Sequence, residues 1–529
     1  MTPQTLYYGD CLDWMRKWPS ECVDLIYLDP PFNSNTDYNI LFGTENNVPA
    51  QMRAFTDTWH WDDKAAERTN AVLNAVAHPA HQVIHGLHVM LGESGMLAYL
   101  TYMAERLTEM QRLLKPTGSI YLHCDPYASH YLKAVMDSVF GNGNFRREVI
   151  WQRSLSHGGA SNYNSVHDTI LYYSKTGKVQ WNPQYQPHDP SYIESHYRLV
   201  DEDGRRYQLV AAHGSGSGPA RRFGNRLLDP PPGRHWAWDQ NKIDDLMTKG
   251  RIVFTRNNMP RYKRYLEDTP GKPTTDVWFD IPPVNSQAKE RLGYPTQKPR
   301  DLLARIIKAS SNPGDLILDP FAGCGTTIDA AEQLGRRWVG VDISSFAIDL
   351  VQEYRLKPLG VTAHIEGIPA DLASARRLAE LNRFDFESWA IYLVPGLVPN
   401  KRKTGDGGID GRGMMLVEPD NTKSRLVLAQ VKSGHFSLSQ LRDFIGVVGM
   451  EDAALGLFIT LEAVSTPSAQ SDVARMGNVV IGAERYPRVG LWSIQEYFDR
   501  RRPHVPPMLD PFTGKPMTQP GLPQMEYTL

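Results

Sequence analysis

The sequence predicts an α/β fold built on a largely parallel sheet, interrupted by a loop-rich insert and followed by a separate α+β domain. Three observations predict it. Apolar runs of strand length alternate with helical periodicity between residues 5 and 153, and the alternation resumes between 300 and 342. Residues 155–290 between these blocks lose regular periodicity and are dominated by Gly, Ser, Pro, Tyr and Arg. A new pattern of strands and helices begins near 384 and runs to 498.

The elements follow in order. LYYGDC, LDWMRKW and VDLIYLD read as strand, helix, strand over 5–29. Residues 33–95 are polar and aromatic, an excursion from the core; within them Trp-rich FTDTWHWDD (55–63) suits a lid or a loop facing the ligand. His78, His81, His85 and His88 lack a Cys or a fixed carboxylate spacing, and Pro79 interrupts them, so surface or helix-face positions are expected rather than a metal site. A helix over 96–114, closed by KPTG, leads to strand SIYLHCD (119–125), a helix over 130–141 and a strand over 147–153. After the insert come LLARIIKAS, DLILDPFAGCG, TTIDAAEQLG and RWVGVDIS, again helix, strand, helix, strand. Residues 345–382 are helical and partly charged, and the Pro-rich residues 499–529 suit a surface-draped or disordered tail.

Composition excludes several classes. Hydrophobic content of 41% and charged content of 22% are those of globular chains. No apolar run reaches membrane-spanning length, and MTPQTLYYGDCLDW has neither a basic n-region nor an apolar h-region, so a cytoplasmic protein without signal peptide is expected. Cys11, Cys22, Cys124 and Cys324 are far apart, as free thiols are. The net charge of −2 does not announce nucleic acid; any basic surface must be local.

LILDPFAGCGTT (316–327) is a strand entering a Gly-rich turn and then a helix. Gly323 and Gly325 allow close backbone approach to a ligand, and the helix start offers unpaired N–H groups. VGVDIS then ends a second strand with Asp342, an acid placed to take both hydroxyls of a ribose. The Lys of a phosphate-binding loop is absent, so a nucleoside cofactor is indicated. A second LDPFTG at 509–514 has neither strand before it nor helix after it and reads as tail.

DPPF (29–32) with DPFAGCGTT (319–327) resembles the S-adenosylmethionine-dependent DNA amino-methyltransferases, in the permuted β order that puts the catalytic motif before the cofactor loop. GDC (9–11), YPTQKP (294–299), ERLTEMQRLLKPTGSIYLHCD and HDTILYYSK (167–175) resemble further motifs, over roughly 4–355. The resemblance implies a Rossmann-like methyltransferase mixed sheet with an inserted target-recognition domain. It implies cofactor contacts from Asp10, Cys11, Thr296, Lys298, Asp319, Phe321, Ala322, Gly323, Gly325, Thr326 and Asp342.

The chemistry of DPPF fits this. An exocyclic amine has its lone pair delocalised into the ring; a carboxylate (Asp29) and a carbonyl (Pro30), each accepting one N–H, would localise and aim it. Pro30 and Pro31 hold the carbonyl direction. Phe32 offers a stacking face to an extruded base, worth about 1–3 kcal/mol. In the superfamily it resembles, DPPF is commoner in adenine than in cytosine enzymes, where a serine usually leads, so the resemblance implies adenine N-6 over cytosine N-4. CDPYASHY (124–131), with one proline, matches a structural strand end.

In the insert, Arg198, Arg205, Arg206, Arg221, Arg222, Arg226, Arg234, Lys242, Lys249, Arg251, Arg256, Arg261, Lys263 and Arg264 lie among Tyr and Trp. That mixture suits phosphate contact, base-edge contact and stacking on double-stranded DNA.

Near the C-terminus, GDGGIDGR (405–412) is followed by a hairpin-like stretch and QVKSG (430–434). Alternate strand residues share a face, so Asp410, Gln430 and Lys432 converge. This resembles the Mrr-like variant of the PD-(D/E)xK nucleases, with Gln for the second acid. FESWA (386–390) resembles that family's upstream helix and makes Glu387 a candidate acid. The resemblance implies a magnesium ion on Asp410 and Gln430, with Lys432 activating water.

The expected organisation is a methyltransferase catalytic half (1–154), a target-recognition insert (155–290), a cofactor half (291–355), a helical linker (356–383), a restriction-endonuclease-like domain (384–498) and the tail (499–529). The expected function is adenine-specific DNA methylation with a fused nuclease-like domain, in restriction-modification. The alternatives are a non-cleaving C-terminal DNA-binding domain, or a modification subunit with a restriction or translocase partner. A homodimer is left open.

Overall fold

The computed structural model describes residues 1–30, 37–41, 51–56, 61–155, 163–285, 288–292, 294, 297–400, 408–416 and 424–509. Contacts divide the chain into two units, Pro183–Thr275 and the remainder.

In the larger unit, strands β1 (Thr5–Tyr8), β2 (Val23–Leu28), β3 (Leu114–Cys124), β4 (Phe145–Gln152), β5 (His167–Ser174), β6 (Val277–Trp278), β7 (Leu316–Asp319), β8 (Arg337–Asp342) and β9 (His364–Glu366) form one sheet. Its order is β6-β4-β5-β3-β2-β7-β8-β1-β9. All neighbours are parallel except those of β5, which runs against both β3 and β4. The sheet is mixed as expected, and its central strands are buried on both faces, which is why β2 reads VDLIYL rather than alternating. Leu97, Leu100, Met103 and Leu107 of helix Gly95–Leu113 cover one face. Leu302, Leu303, Ile306 and Ile307 of helix Arg300–Ser310 cover the other. Each such burial is worth about 1.5–3 kcal/mol.

The insert is narrower than its sequence boundaries. HDTILYYS and Val277–Trp278 lie inside 155–290 but complete the sheet, because their backbones pair with β3 and β4. The 356–383 stretch is not wholly helical: His364–Glu366 adds a parallel edge strand beside β1. CDPY is a strand end whose Asp125 caps helix Pro126–Phe140 by accepting from Ala128 N at 2.8 Å.

A second sheet lies in the same unit: β10 (Leu397–Pro399), β11 (Gly411–Leu416), β12 (Ser424–Lys432), β13 (Leu455–Thr460) and β14 (Val489–Ser493), in sequential order. The β10-β11-β12 pairs are antiparallel and the rest parallel. The tail is not all draped: Val505 and Met508 are buried in this domain's core, and Leu509 N bonds Met414 O at 2.9 Å. Apolar side chains in a Pro-rich stretch dock where a sheet face is otherwise uncovered. The rest of the second LDPFTG lies outside the described residues, as do 57–60 of FTDTWHWDD. His81, His85 and His88 sit on helix His81–Leu91. Among the described residues no helix is long and apolar enough to cross a membrane.

Pro183–Thr275 is a small unit of its own. Its four-stranded antiparallel sheet runs Ile252–Phe254, Pro260–Tyr265, Arg206–Ala211, Leu199–Val200. Phe223, Trp236, Ile243 and Leu246 centre its core.

Candidate active site

Ligands of open α/β sheets bind beyond the carboxyl ends of the strands. Here β2, β7, β8 and β1 are neighbours in that order. Their ends carry Asp29, Asp319, Asp342 and the Gly9-Asp10-Cys11 turn. Residues nearly 300 apart in sequence thus share one sheet edge.

At the β2 tip, Asp29 Oδ2 accepts from Lys298 Nζ at 2.5 Å, and Lys298 is 7% exposed. Asp29 Oδ1 is buried and has no hydrogen-bond partner among the described residues. A buried carboxylate oxygen left unpaired costs free energy unless a ligand donor meets it. Pro30 is buried directly after it; Pro31, Phe32 and Thr296 lie outside the described residues. Lys298, expected at the cofactor, is bonded to Asp29.

The Gly-rich turn follows β7. Asp319, 3% exposed, accepts from Phe321 N at 3.1 Å. Ala322 N bonds Val341 O at 2.9 Å, tying the turn to β8. Asp342 accepts from Gly323 N through Oδ2 and from Ser344 N through Oδ1, both at 2.8 Å. Carboxylate oxygens have further lone pairs, so these bonds orient Asp342 and leave it able to accept hydroxyls. Tyr294 packs on Gly323, where an added Cβ would lie 3.5 Å from its ring. Thr326 is buried beside Cys324.

Gly325 begins helix Thr326–Gln333 at φ +73°, and a Cβ there would meet Val351 at 2.6 Å. Gly325→Ala is therefore expected to destabilise the protein by about 1–3 kcal/mol, read as a lower melting temperature, and to weaken cofactor binding. Arg355 braces the turn from below. It donates to Cys324 O at 3.0 Å and pairs with buried Asp329 at 3.5 Å, a role no local motif revealed.

Asp10 caps helix Cys11–Met15 through Leu12 N and takes both of its carboxylate oxygens to buried Arg106 at 2.7 and 2.6 Å. Cys11 is buried, which pushes its thiol up to about 12.

Burial pushes the Asp319 carboxyl up to about 7 and the Asp342 carboxyl up to about 6, against the backbone N–H groups that favour the charge. Both raised values mean that the folded chain holds protons the unfolded chain has lost. Their cost to stability builds as pH rises from about 4 and is complete above 7. Ribose hydroxyls donate best to an ionised Asp342. Affinity for a ribose-bearing cofactor is therefore expected to rise through pH 6 and level off near 7, and Asp342→Asn to flatten that rise in calorimetric titrations.

Beneath Asp29 lies a buried network outside the expected residues. Tyr27 Oη bonds His123 Nδ1 at 2.9 Å, and His123 Nε2 bonds Asp168 Oδ2 at 3.1 Å. Against the cost of burial, His123, Lys298 and Arg153 hold the Asp168 carboxyl below its usual range. His123 and Asp168 fall in two of the linking motifs, 45 residues apart, and only the fold pairs them.

The second sheet carries another group. Asp410 precedes β11, and its Oδ2 accepts from Val431 N at 2.7 Å, between Gln430 and Lys432 on β12. Gln430 is 6% exposed, and its Oε1 is buried without a hydrogen-bond partner among the described residues. Gly408, at φ +80°, lets the chain cross Gln430, since a Cβ would lie 2.5 Å from Nε2. Buried Glu387 accepts from Arg383 Nε at 2.7 Å on helix Arg383–Tyr392. Among the described residues no three His, Cys, Asp or Glu side chains converge, so the donor set here is a carboxylate with an amide oxygen.

Between 183 and 275 fifteen Lys and Arg face eleven Asp and Glu, an excess of four positive charges in a chain of net −2. Not every basic residue of that unit is available: Arg205 pairs with Asp203, Lys263 with Asp201 and Arg251 with Asp268. Arg206, Arg222, Arg256 and Arg264 remain exposed.

Comparison with known proteins adds independent findings. The family model described as DNA methylase matches residues 23–353, and one described as restriction endonuclease matches 378–484. The chain is 35% identical over 258 residues to the type II methyltransferase M.EcaI of Enterobacter cloacae, covering 48% of this chain and 57% of that protein. It is 29% identical over 347 residues to the StyLTI Mod subunit, a type III restriction-modification enzyme of Salmonella typhimurium, covering 62% and 49%. It is 24% identical over 381 residues to the DNA adenine methyltransferase YhdJ of Escherichia coli, covering 72% and 90%. The chain thus spans about half the length of the first two curated relatives.

Proposed function

The chain belongs to the DNA methylase family matched over residues 23–353, and from that premise we propose that it methylates the exocyclic N-6 amine of adenine in double-stranded DNA. The observation that carries the reading is the buried Asp29 Oδ1, without a hydrogen-bond partner among the described residues, at the strand ends that also bear Asp342. Asp29 accepts one amine N–H and the Pro30 carbonyl the other, which localises the lone pair. Lys298 holds Asp29 in place through Oδ2. Asp342 orients the ribose of the cofactor, and the Gly323–Gly325 turn admits the cofactor to close backbone contact. S-adenosylmethionine, when bound, supplies the electrophilic methyl group. DNA is held by the basic unit 183–275 through exposed residues such as Arg206, Arg222, Arg256 and Arg264. A cytoplasmic location is part of the same proposal.

The endonuclease-like domain has a reading of its own. Gln430 Oε1 is a buried hard acceptor awaiting a donor or cation, so Asp410 and Gln430 fit a magnesium ion, with Lys432 beside it on the same strand face. Magnesium would supply Lewis-acid activation of a phosphodiester. Together the two domains form a single-chain restriction-modification protein. The similarity to a Mod subunit keeps a separate restriction partner as the second reading.

The test is incubation of the full chain with unmethylated DNA and S-adenosylmethionine, followed by nucleoside analysis. N-6-methyladenine is expected; N-4-methylcytosine would overturn the base assignment, and no incorporation would overturn the function.

A further inference from the structure

The buried network of Tyr27, His123 and Asp168 has a fourth member that reaches solvent. Its three buried residues sit on neighbouring strands, β2, β3 and β5, and β4 is the next strand outward. β5 runs against β3 and β4, so Asp168 near its start lies at their carboxyl ends, on the ligand edge. His123 Nε2 donates to the Asp168 carboxylate, which leaves Nδ1 to accept from the Tyr27 hydroxyl. Trp151, the register partner of Asp168, stands edge-on to the His123 ring, with 5.8 Å between centroids. Arg153 follows directly after β4, and its Nε lies 3.0 Å from Asp168 Oδ1.

Burial divides the row. Tyr27, His123 and Asp168 are 2%, 0% and 4% exposed, whereas the Arg153 side chain is 43% exposed. The Arg153 guanidinium has no partner other than Asp168 among the described residues. A buried carboxylate paired with a half-exposed cation is a weak stabiliser, because desolvation offsets most of the attraction. The arrangement gives orientation instead. A buried carboxylate, itself fixed by a buried imidazole, holds the guanidinium by Nε and leaves its Nη donors unmet at the ligand edge. Such a fork matches the oxygens of a phosphate.

We propose that Arg153, held by Asp168 and His123, contacts a backbone phosphate of the DNA strand that carries the target adenine. The inference rests on the reading of the chain as a DNA methyltransferase with Asp29 at the amine. β4 lies three strand spacings from β2, about 14 Å. That separation suits a phosphate flanking the extruded nucleotide rather than the base itself. The row also ends beneath the catalytic elbow, since Tyr27 is two residues before Asp29. The sheet thus grips the strand by a contact of its own, in addition to the exposed arginines of 183–275.

The experiment measures binding of unmethylated duplex DNA to the full-length chain with S-adenosylhomocysteine, over a series of potassium chloride concentrations. The proteins are wild type, Arg153→Met, Arg153→Lys and Arg153→Met/Asp168→Asn. Arg153→Met is expected to weaken binding about 10-fold. It should also flatten the slope of log Kobs against log salt by about 0.9, the contribution of one phosphate contact. The double variant removes one charge of each sign and keeps an acceptor for His123, so its net charge is that of wild type; its slope should stay flattened. Arg153→Lys keeps the charge without the fork and should restore the slope with only part of the affinity. The set of sequences methylated should not change, because a phosphate contact carries no base information. Neither Arg153→Lys nor the double variant leaves Asp168 charged and unpaired, so the test holds even where Arg153→Met alone fails to fold. A wild-type slope in Arg153→Met, or a slope restored in the double variant, would overturn the inference and leave the methyltransferase reading standing. A wild-type chain that neither binds nor methylates DNA would overturn that reading itself.

Discussion

Asp29→Asn is expected to reduce kcat for methyl transfer by about 100- to 1,000-fold, because it replaces an acceptor aimed at the amine by a donor. The same change has a second consequence. Lys298 is almost fully buried and bonds Asp29 Oδ2. Breaking a buried ion pair by removing one partner costs about 3–5 kcal/mol. Loss of activity could then reflect unfolding rather than chemistry. Asp29→Asn/Lys298→Met separates the two, since it removes both charges and should recover most of the melting temperature without recovering activity. Tritium transfer to unmethylated DNA, measured beside cofactor affinity and thermal unfolding, reads all three quantities. Cofactor affinity should stay close to wild type in the double variant, because Asp342 and the Gly-rich turn bind it through other groups. Methyl transfer by Asp29→Asn at the wild-type rate would refute the site.

Lys432→Ala is expected to lower magnesium-dependent DNA cleavage by about 100-fold or more while methyl transfer continues at the wild-type rate. Lys432 shares a strand face with Gln430, and Asp410 is anchored between them by the Val431 N–H. Gln430→Glu should act in the opposite sense on the metal. A carboxylate in place of the unpaired amide oxygen adds a charge to the donor set and should tighten magnesium binding. Nicking of supercoiled plasmid, with and without prior methylation, is the readout. Cleavage that survives Lys432→Ala would reject this site. A wild-type chain that methylates but never nicks in magnesium would favour the non-cleaving alternative.

Much of this architecture was legible in the sequence because it is local. Strand–turn–helix from 316 to 333, the acid ending RWVGVD and the DPP elbow are each short stretches whose periodicity and turn chemistry name their own conformation. Features made by distant residues were harder to read. The insert is narrower than its sequence bounds because His167–Ser174 and Val277–Trp278 owe their strand state to pairing with β3 and β4. His364–Glu366 is a strand within a helical-looking stretch for the same reason, and Val505 and Met508 dock although their Pro-rich surroundings look like a tail. The Lys298–Asp29 bond joins residues 269 apart, which the local YPTQKP stretch gives no sign of.

By itself, the sequence determined which groups exist to do chemistry and in what local frame. These are a carboxylate before two prolines, a glycine turn before a helix, an acid at a strand end, and a Q-x-K strand near a second acid. Backbone sterics and side-chain periodicity act over a few residues, so these frames needed nothing else. The tertiary structure alone decided which of them meet. It put Lys298 on Asp29 and left Asp29 Oδ1 and Gln430 Oε1 without partners among the described residues. It braced the cofactor turn with Arg355. Such contacts depend on sheet order and on burial that strips water from the groups involved, and both arise only when distant segments pack.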